Sequence, residues 1–139
     1  MVTKQYAIVM SIKPVYANAI YSRLKKYEFR RVRMNAKSGD LVLIYETAPV
    51  SMLTGGFVIG TVSYLQNMSE LRALLGRNEI TQDIVFYLRG AKQITALEVR
   101  SCFRWEKPLQ FSQLFPGRAV PQSYMREGFT HGHFCNSVT

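Results

Sequence analysis

The chain reads as an α+β fold: a small, partly closed β-barrel with a helix after the first strand and two short helices before the last long strand. Three observations point there. Apolar β-rich runs and helix-period segments follow one another as strand, helix, three strands, two helices and strand, without the βαβ alternation of a doubly wound sheet. One long strand carries an interior glycine, Gly60, at a place where a small barrel would bend. The 139 residues, 47% hydrophobic and 19% charged, suffice for one domain with its own core and no stapling disulfide or metal.

Tyr6 to Ile12 (YAIVMSI) is a mostly buried strand halted by Lys13-Pro14. Pro14 opens a short amphipathic helix to about Leu24, with Tyr16, Ala17, Ile20 and Leu24 at helical spacing. Lys25 to Arg31 follows as a strand. Asn35 to Asp40 carries turn chemistry, and Leu41 to Tyr45 is the continuous apolar run of a central strand. Ala48-Pro49-Val50 is irregular because proline removes a ladder donor. Gly55-Gly56 leads into Phe57 to Leu65, the strand with Gly60.

Ser69 is the expected cap of a helix over Glu70 to Leu75, ended by Gly76 or Asn78. Thr81 caps a second helix to Leu88, with Gly90 as its stop. Gln93 to Phe103 returns to strand. Pro108, Pro116, Gly117 and Pro121 then divide the chain into a helical turn around Phe111 to Phe115 and an ordered loop through Tyr124. Residues 1–126 are expected to form a single domain, and 127–139 a loose polar tail.

Eighteen Lys and Arg against nine Asp and Glu give a net charge of +9, which favours polyanionic partners. The density is highest from Arg23 to Lys37, where the apolar residues follow a strand period rather than the stripe of a membrane-surface helix. No run approaches the roughly 18 apolar residues of a transmembrane helix, and Met1 to Ile12 lacks the features of a signal peptide. The cytoplasm is the expected compartment, with no membrane partner. Cys102 and Cys135 have neither CxxC nor zinc spacing and read as free thiols. His131-Gly132-His133-Phe134-Cys135 has no further ligands nearby and reads as tail. With no phosphate-binding glycine loop, Ser/His/Asp order or metal motif, no cofactor and no metal are expected.

The chemistry concentrates in Lys25-Lys26-Tyr27-Glu28-Phe29-Arg30-Arg31, four cations and one carboxylate interleaved with two aromatics. As a strand, its period of two puts Tyr27 and Phe29 on one face, toward a core. Lys26, Glu28 and Arg30 take the other, held on a rigid surface. A carboxylate between cations orients its neighbours, as an anion-binding or acid/base site requires; the alternative is a solvated edge with surface ion pairs.

These residues, in this order, resemble an ASCH domain, a branch of the PUA-like β-barrel superfamily. The resemblance rests on Ser11-Ile12-Lys13-Pro14 with Tyr16-Ala17 and Ile20, on Lys25-x-x-Glu28-x-Arg30, and on Gly39-Asp40 before a strand ending in Tyr45. Pro49, the Gly60 strand, Tyr87 and Pro121-Gln122-Ser123 complete it. It spans nearly the whole chain. It implies a cleft beneath the barrel, lined by the Lys-x-x-Glu-x-Arg strand and the start of the first helix, suited to RNA or a modified nucleoside. The family pattern has glycine two residues before the first lysine, where this chain has Arg23. The expected consequences are a helix that runs on further or a long cation reaching the cleft mouth. One branch of the family is an amidohydrolase of acetylated cytidine with threonine where Glu28 stands here and a separate glutamate, for which Glu46, Glu70 and Asp83 are the candidates. Others are linked to ribonuclease activity.

Three functional classes follow. In the first, an RNA or modified-nucleoside binding module, Lys13, Lys25, Lys26, Arg30 and Arg31 meet phosphates. Glu28 orients Arg30 or accepts from a base or ribose, Tyr45 or Tyr124 stacks on an unpaired base, and Gln122-Ser123 borders the cleft. For Tyr45 the alternative is core packing. In the second, a hydrolase of RNA or a nucleoside, Lys25 is the base and Glu28 shuttles protons, an assignment opposed if the two pair directly. The third is a protein-interaction domain using the aromatics of the second half.

Overall fold

The computed structural model describes residues 4–76 and 82–130. β1 (Lys4–Ile12) leads into α1 (Pro14–Tyr21), β2 (Tyr27–Arg30), β3 (Leu41–Glu46) and β4 (Met52–Leu65). α2 (Met68–Leu75) and α3 (Gln82–Leu88) precede β5 (Ile94–Leu109), the one-turn α4 (Phe111–Leu114) and β6 (Tyr124–Thr130). The strands form one mixed sheet in the order β2-β5-β4-β3-β1-β6, antiparallel except for the β1–β3 pair. This is the expected α+β class. The sheet is open, however: β2 and β6 are its edges, and no ladder joins them among the described residues. It curls enough for Arg30, on edge strand β2, to donate from Nη2 to the Ser11 carbonyl of β1 at 3.3 Å.

The period of two in β1 and β3 divides the interior. Ile8, Met10, Ile12, Val42 and Ile44 pack with Ala17 and Ile20 of α1, while Ala7, Val9 and Leu43 pack with Phe111 and Leu114 of α4 and with Trp105 and Phe129. Burial on both faces explains why these strands read as unbroken apolar runs. A third cluster joins Phe29 of β2 to Leu71 and Leu75 of α2 and Leu88 of α3.

Several elements end elsewhere than their sequence signals suggest. α1 stops at Tyr21, because Arg23 takes a left-handed φ of 68° and turns the chain toward β2. Leu24 therefore leaves the helical stripe and stands 83% exposed. β4 begins at Met52 and absorbs the Gly55-Gly56 pair, with the Val42 carbonyl filling the place a Cβ on Gly56 would need. At Gly60 the bend is real: the β4–β5 register shifts between Val58 and Val62, and the Glu98 carboxylate accepts from the Thr61 amide at 2.9 Å.

α2 is capped by Asn67, not Ser69, through Oδ1 accepting from the Glu70 amide at 2.9 Å. β5 continues past Phe103 to Leu109, holding Trp105 in the core and carrying Pro108 near its end. The loose tail expected from residue 127 is, through Thr130, strand β6, fastened to β1 by the pairs Ala7–Glu127 and Gln5–Phe129. Expected cap Thr81, expected stop Asn78 and the His131–Cys135 stretch lie outside the described residues. Among the described residues, no helix is long and apolar enough to cross a membrane.

Candidate functional site

β2 is short and at an edge, yet Glu28, Phe29 and Arg30 are all buried, Glu28 at 6% and Arg30 at 7% exposure. The charged face expected on the surface is thus inside. What covers it is visible in the bonds of Arg30, whose Nη1 donates to Ser123 Oγ at 3.2 Å and whose Nη2 reaches the Ser11 carbonyl. The 121–123 loop is in turn tied to β1: Ser11 Oγ donates to the Pro121 carbonyl at 2.6 Å and the Ser11 amide to the Ser123 carbonyl at 3.0 Å.

Within this enclosure Glu28 joins two cations. Oε1 accepts from Lys25 Nζ at 3.0 Å and Oε2 from Arg30 Nη2 at 2.8 Å. Lys25 also donates to the Tyr27 carbonyl at 2.6 Å and lies over the Phe29 ring, 5.3 Å from its centroid, and 6.0 Å from that of Tyr16. Both carboxylate oxygens are engaged, and the trio keeps one excess positive charge. Arg30 Nε is buried with no hydrogen-bond partner. A buried net cation with an unused donor favours a ligand rich in acceptor oxygens or ring nitrogens.

Two tyrosines stand at this place that the candidate set lacked. Tyr16, read as part of the apolar stripe of α1, is 39% exposed beside Lys25. Tyr87 of α3 is 46% exposed. Burial raises the Tyr87 phenol above its ordinary range; Arg30 acts in the opposite sense, and Glu28, Arg31 and Tyr16 are the other groups it feels. The only sequence signal for Tyr87 was its place in the ASCH-like pattern, and the same holds for Ser11.

The structure brings Lys25, Glu28, Arg30 and Ser123 together. Lys13 is exposed, and its carbonyl accepts from the Tyr16 and Ala17 amides as α1 begins. Gln122 is exposed on the adjoining loop, and Lys26 points to solvent while its carbonyl accepts from the Val99 amide. Arg31 is exposed, with Nη2 donating to the Arg89 carbonyl at 3.2 Å. Tyr45 lies elsewhere: its ring packs edge-on against Phe111 at 6.0 Å in the α4-side core.

Arg23 neither extends α1 nor enters the cleft; its guanidinium rests on β5, at the Arg100 carbonyl and the Cys102 thiol. Of the glutamate candidates, Glu70 caps the start of α2 by accepting from the Gln66 amide. Glu46 is buried beside Arg104, at 3.8 Å, near the Tyr21–Thr54 hydroxyl pair. The Asp83 side chain lies outside the described residues. No cluster of three or more His, Cys, Asp or Glu suited to a metal occurs among the described residues.

A curled six-stranded α+β sheet that encloses a Lys–Glu–Arg array at one edge defines a small domain with a buried charged cluster. Its family is fixed by sequence: the ASCH domain pattern matches residues 10–102, and the chain belongs to the ASCH domain family. Among solved structures, an ASCH protein from Zymomonas mobilis is 24% identical with a TM-score of 0.71, over 86% of this chain and 85% of that one. A tyrosine-to-phenylalanine variant from the same organism is 23% identical with a TM-score of 0.71, over 86% and 88%. At these identities the likeness is one of fold. No curated protein matches the chain.

Proposed function

We propose that the chain binds RNA by taking an unpaired, plain or modified base into the cleft over Lys25, Glu28 and Arg30. The observation that carries this reading is the buried, net-positive donor array with two partly exposed tyrosines beside it. Unpaired bases stack on aromatic rings and present ring nitrogens and carbonyls to donors. The third N–H of Lys25 and the Nε of Arg30 are donors in search of such acceptors. Family membership supports the same ligand class, and the curl that carries Arg30 to Ser11 supports a partly closed barrel with the cleft beneath it.

The direct contact of Lys25 with Glu28 at 3.0 Å favours binding over hydrolysis. Lys25 acts as a donor in both of its polar contacts, an arrangement suited to holding an acceptor rather than to taking a proton.

The test is a titration of labelled single-stranded RNA at about 50 and about 200 mM salt, with the RNA checked for cleavage afterwards. Wild type binds intact RNA more weakly at the higher salt. Tyr87→Ala weakens binding roughly 5- to 150-fold, the range of one lost base stack. Tyr87→Phe stays near wild type, and Lys25→Met loses affinity with its fold intact by circular dichroism. Absence of binding at low salt, or a Tyr87→Ala variant that binds like wild type, overturns the reading; salt-insensitive capture of a protein would favour the interaction class instead.

A further inference from the structure

We infer that the RNA strand leaves the cleft along a second surface, a phosphate-binding groove between the Arg31–Arg33 segment and the turn that follows α3. This rests on the RNA reading above and extends it from one base to a strand. The groove has a volume of about 530 Å³ and is lined by Arg31, Val32 and Arg33 on one side and Gly90, Ala91 and Lys92 on the other. Three of its lining residues are cations and none is acidic.

The two arginines are held in place without a carboxylate partner among the described residues, and Lys92 is exposed beside them. Arg31 is fixed by the Arg89 carbonyl. The Arg33 guanidinium stacks 3.9 Å from the Tyr64 ring centroid, and Tyr64 is itself anchored by donating to the Met34 carbonyl at 2.7 Å. The backbone on both sides of Arg33 is bolted to β5, since the Thr95 hydroxyl donates to the Val32 carbonyl at 2.6 Å and accepts from the Met34 amide at 3.0 Å. Elsewhere on the surface arginines pair with carboxylates, as in Arg118–Glu127 at 3.1 Å and Arg126–Asp40 at 3.2 Å. Neither Arg31, Arg33 nor Lys92 has such a pair among the described residues. Rigid, unneutralised cations lose little freedom on meeting phosphates and release counterions when they do.

Continuity with the cleft gives the direction. Arg31 follows Arg30 in the chain and donates to the Arg89 carbonyl at 3.2 Å, in the turn directly after α3, whose last residues are Tyr87 and Leu88. A base seated beside Tyr87 thus has its neighbouring phosphates at the entrance of the groove. Val32 and Ala91 supply apolar surface for sugars.

The experiment compares labelled di- and hexauridylate on wild type, on an Arg33→Gln/Lys92→Gln double variant and on Lys25→Met. Wild type binds the hexamer more tightly than the dimer. The double variant loses that gain while its dimer affinity is unchanged, and its log–log salt slope for the hexamer falls by about 1.4, at about 0.7 per phosphate contact on a single strand. Lys25→Met weakens both lengths alike. A length gain that persists undiminished in the double variant overturns the groove. A dimer that binds with Lys25 dependence and no gain on lengthening overturns the groove and leaves the cleft standing. Failure of wild type to bind either length overturns both.

Discussion

Glu28 and Glu46 are both buried carboxylates next to an arginine, one on β2 and one on β3. Glu28 has each oxygen on its own cation, at 3.0 and 2.8 Å, with Arg30 as enclosed as the carboxylate. Glu46 is 1% exposed, yet its nearest cation is 3.8 Å away on a half-exposed Arg104, and Oε2 has no hydrogen-bond partner. Burial alone therefore does not mark a working carboxylate. Glu28 fixes two donors, the Lys25 ammonium and the Arg30 guanidinium. Glu46 belongs to a packing junction where Tyr21 meets Thr54 at 2.8 Å and Arg104 lies over the Tyr21 ring.

The largest effect should come from Glu28→Gln, which leaves two enclosed cations sharing one neutral oxygen. Removing one partner of a buried ion pair is worth about 3–5 kcal/mol, so the urea midpoint should fall sharply. If Glu28→Gln is no more harmful than the same change at Glu46, the contrast between the two carboxylates is broken.

The second test is alkaline. Burial raises the Tyr21 phenol above its ordinary value, with Glu46 acting in the same sense and the Thr54 bond and Arg104 acting against it. The folded state thus prefers the neutral phenol. The stability this contributes is fully present below the unfolded value near pH ~10 and is lost as pH rises beyond it toward the folded value. Tyr21→Phe should cost about 1 kcal/mol at neutral pH for the lost hydrogen bond and should flatten the alkaline limb of a stability–pH profile. An alkaline limb identical in both proteins would place its origin outside this junction.

Much of the framework was legible because it depends on local periodicity. The double burial of β1 and β3 is written as unbroken apolar runs, and the bend at Gly60 as a glycine inside a strand. The character of the site was legible only in part. Lys25-x-x-Glu28-x-Arg30 named residues that the structure brings together, but alternation assigned Glu28 and Arg30 to solvent, because strand period distinguishes faces without saying what covers each. Here the cover comes from Ser11 and Ser123, which lie far from β2 in sequence. Arg23 shows a similar limit: the family glycine signals a left-handed backbone, and the 68° φ appears with an arginine in place. Tyr45 and the last residues of β6 depended on long-range pairing, with Phe111 and with β1, that no local signal carries.

Glu46→Gln is the smallest expected change and the sharpest control on the comparison. Glutamine keeps the shape and removes the charge whose burial is unfavourable. What it gives up is attraction to Arg104 across 3.8 Å, with a guanidinium that water still reaches, an interaction typically worth about 0–1 kcal/mol. It also leaves one polar atom unpartnered, as Oε2 already is. These contributions oppose one another, so the unfolding free energy should move by less than about 1 kcal/mol, and RNA affinity should not move, because Glu46 faces Arg104 and Tyr21 rather than Lys25. A loss matching that of Glu28→Gln, or weaker RNA binding at unchanged stability, would make Glu46 a second working carboxylate and join the two into one site.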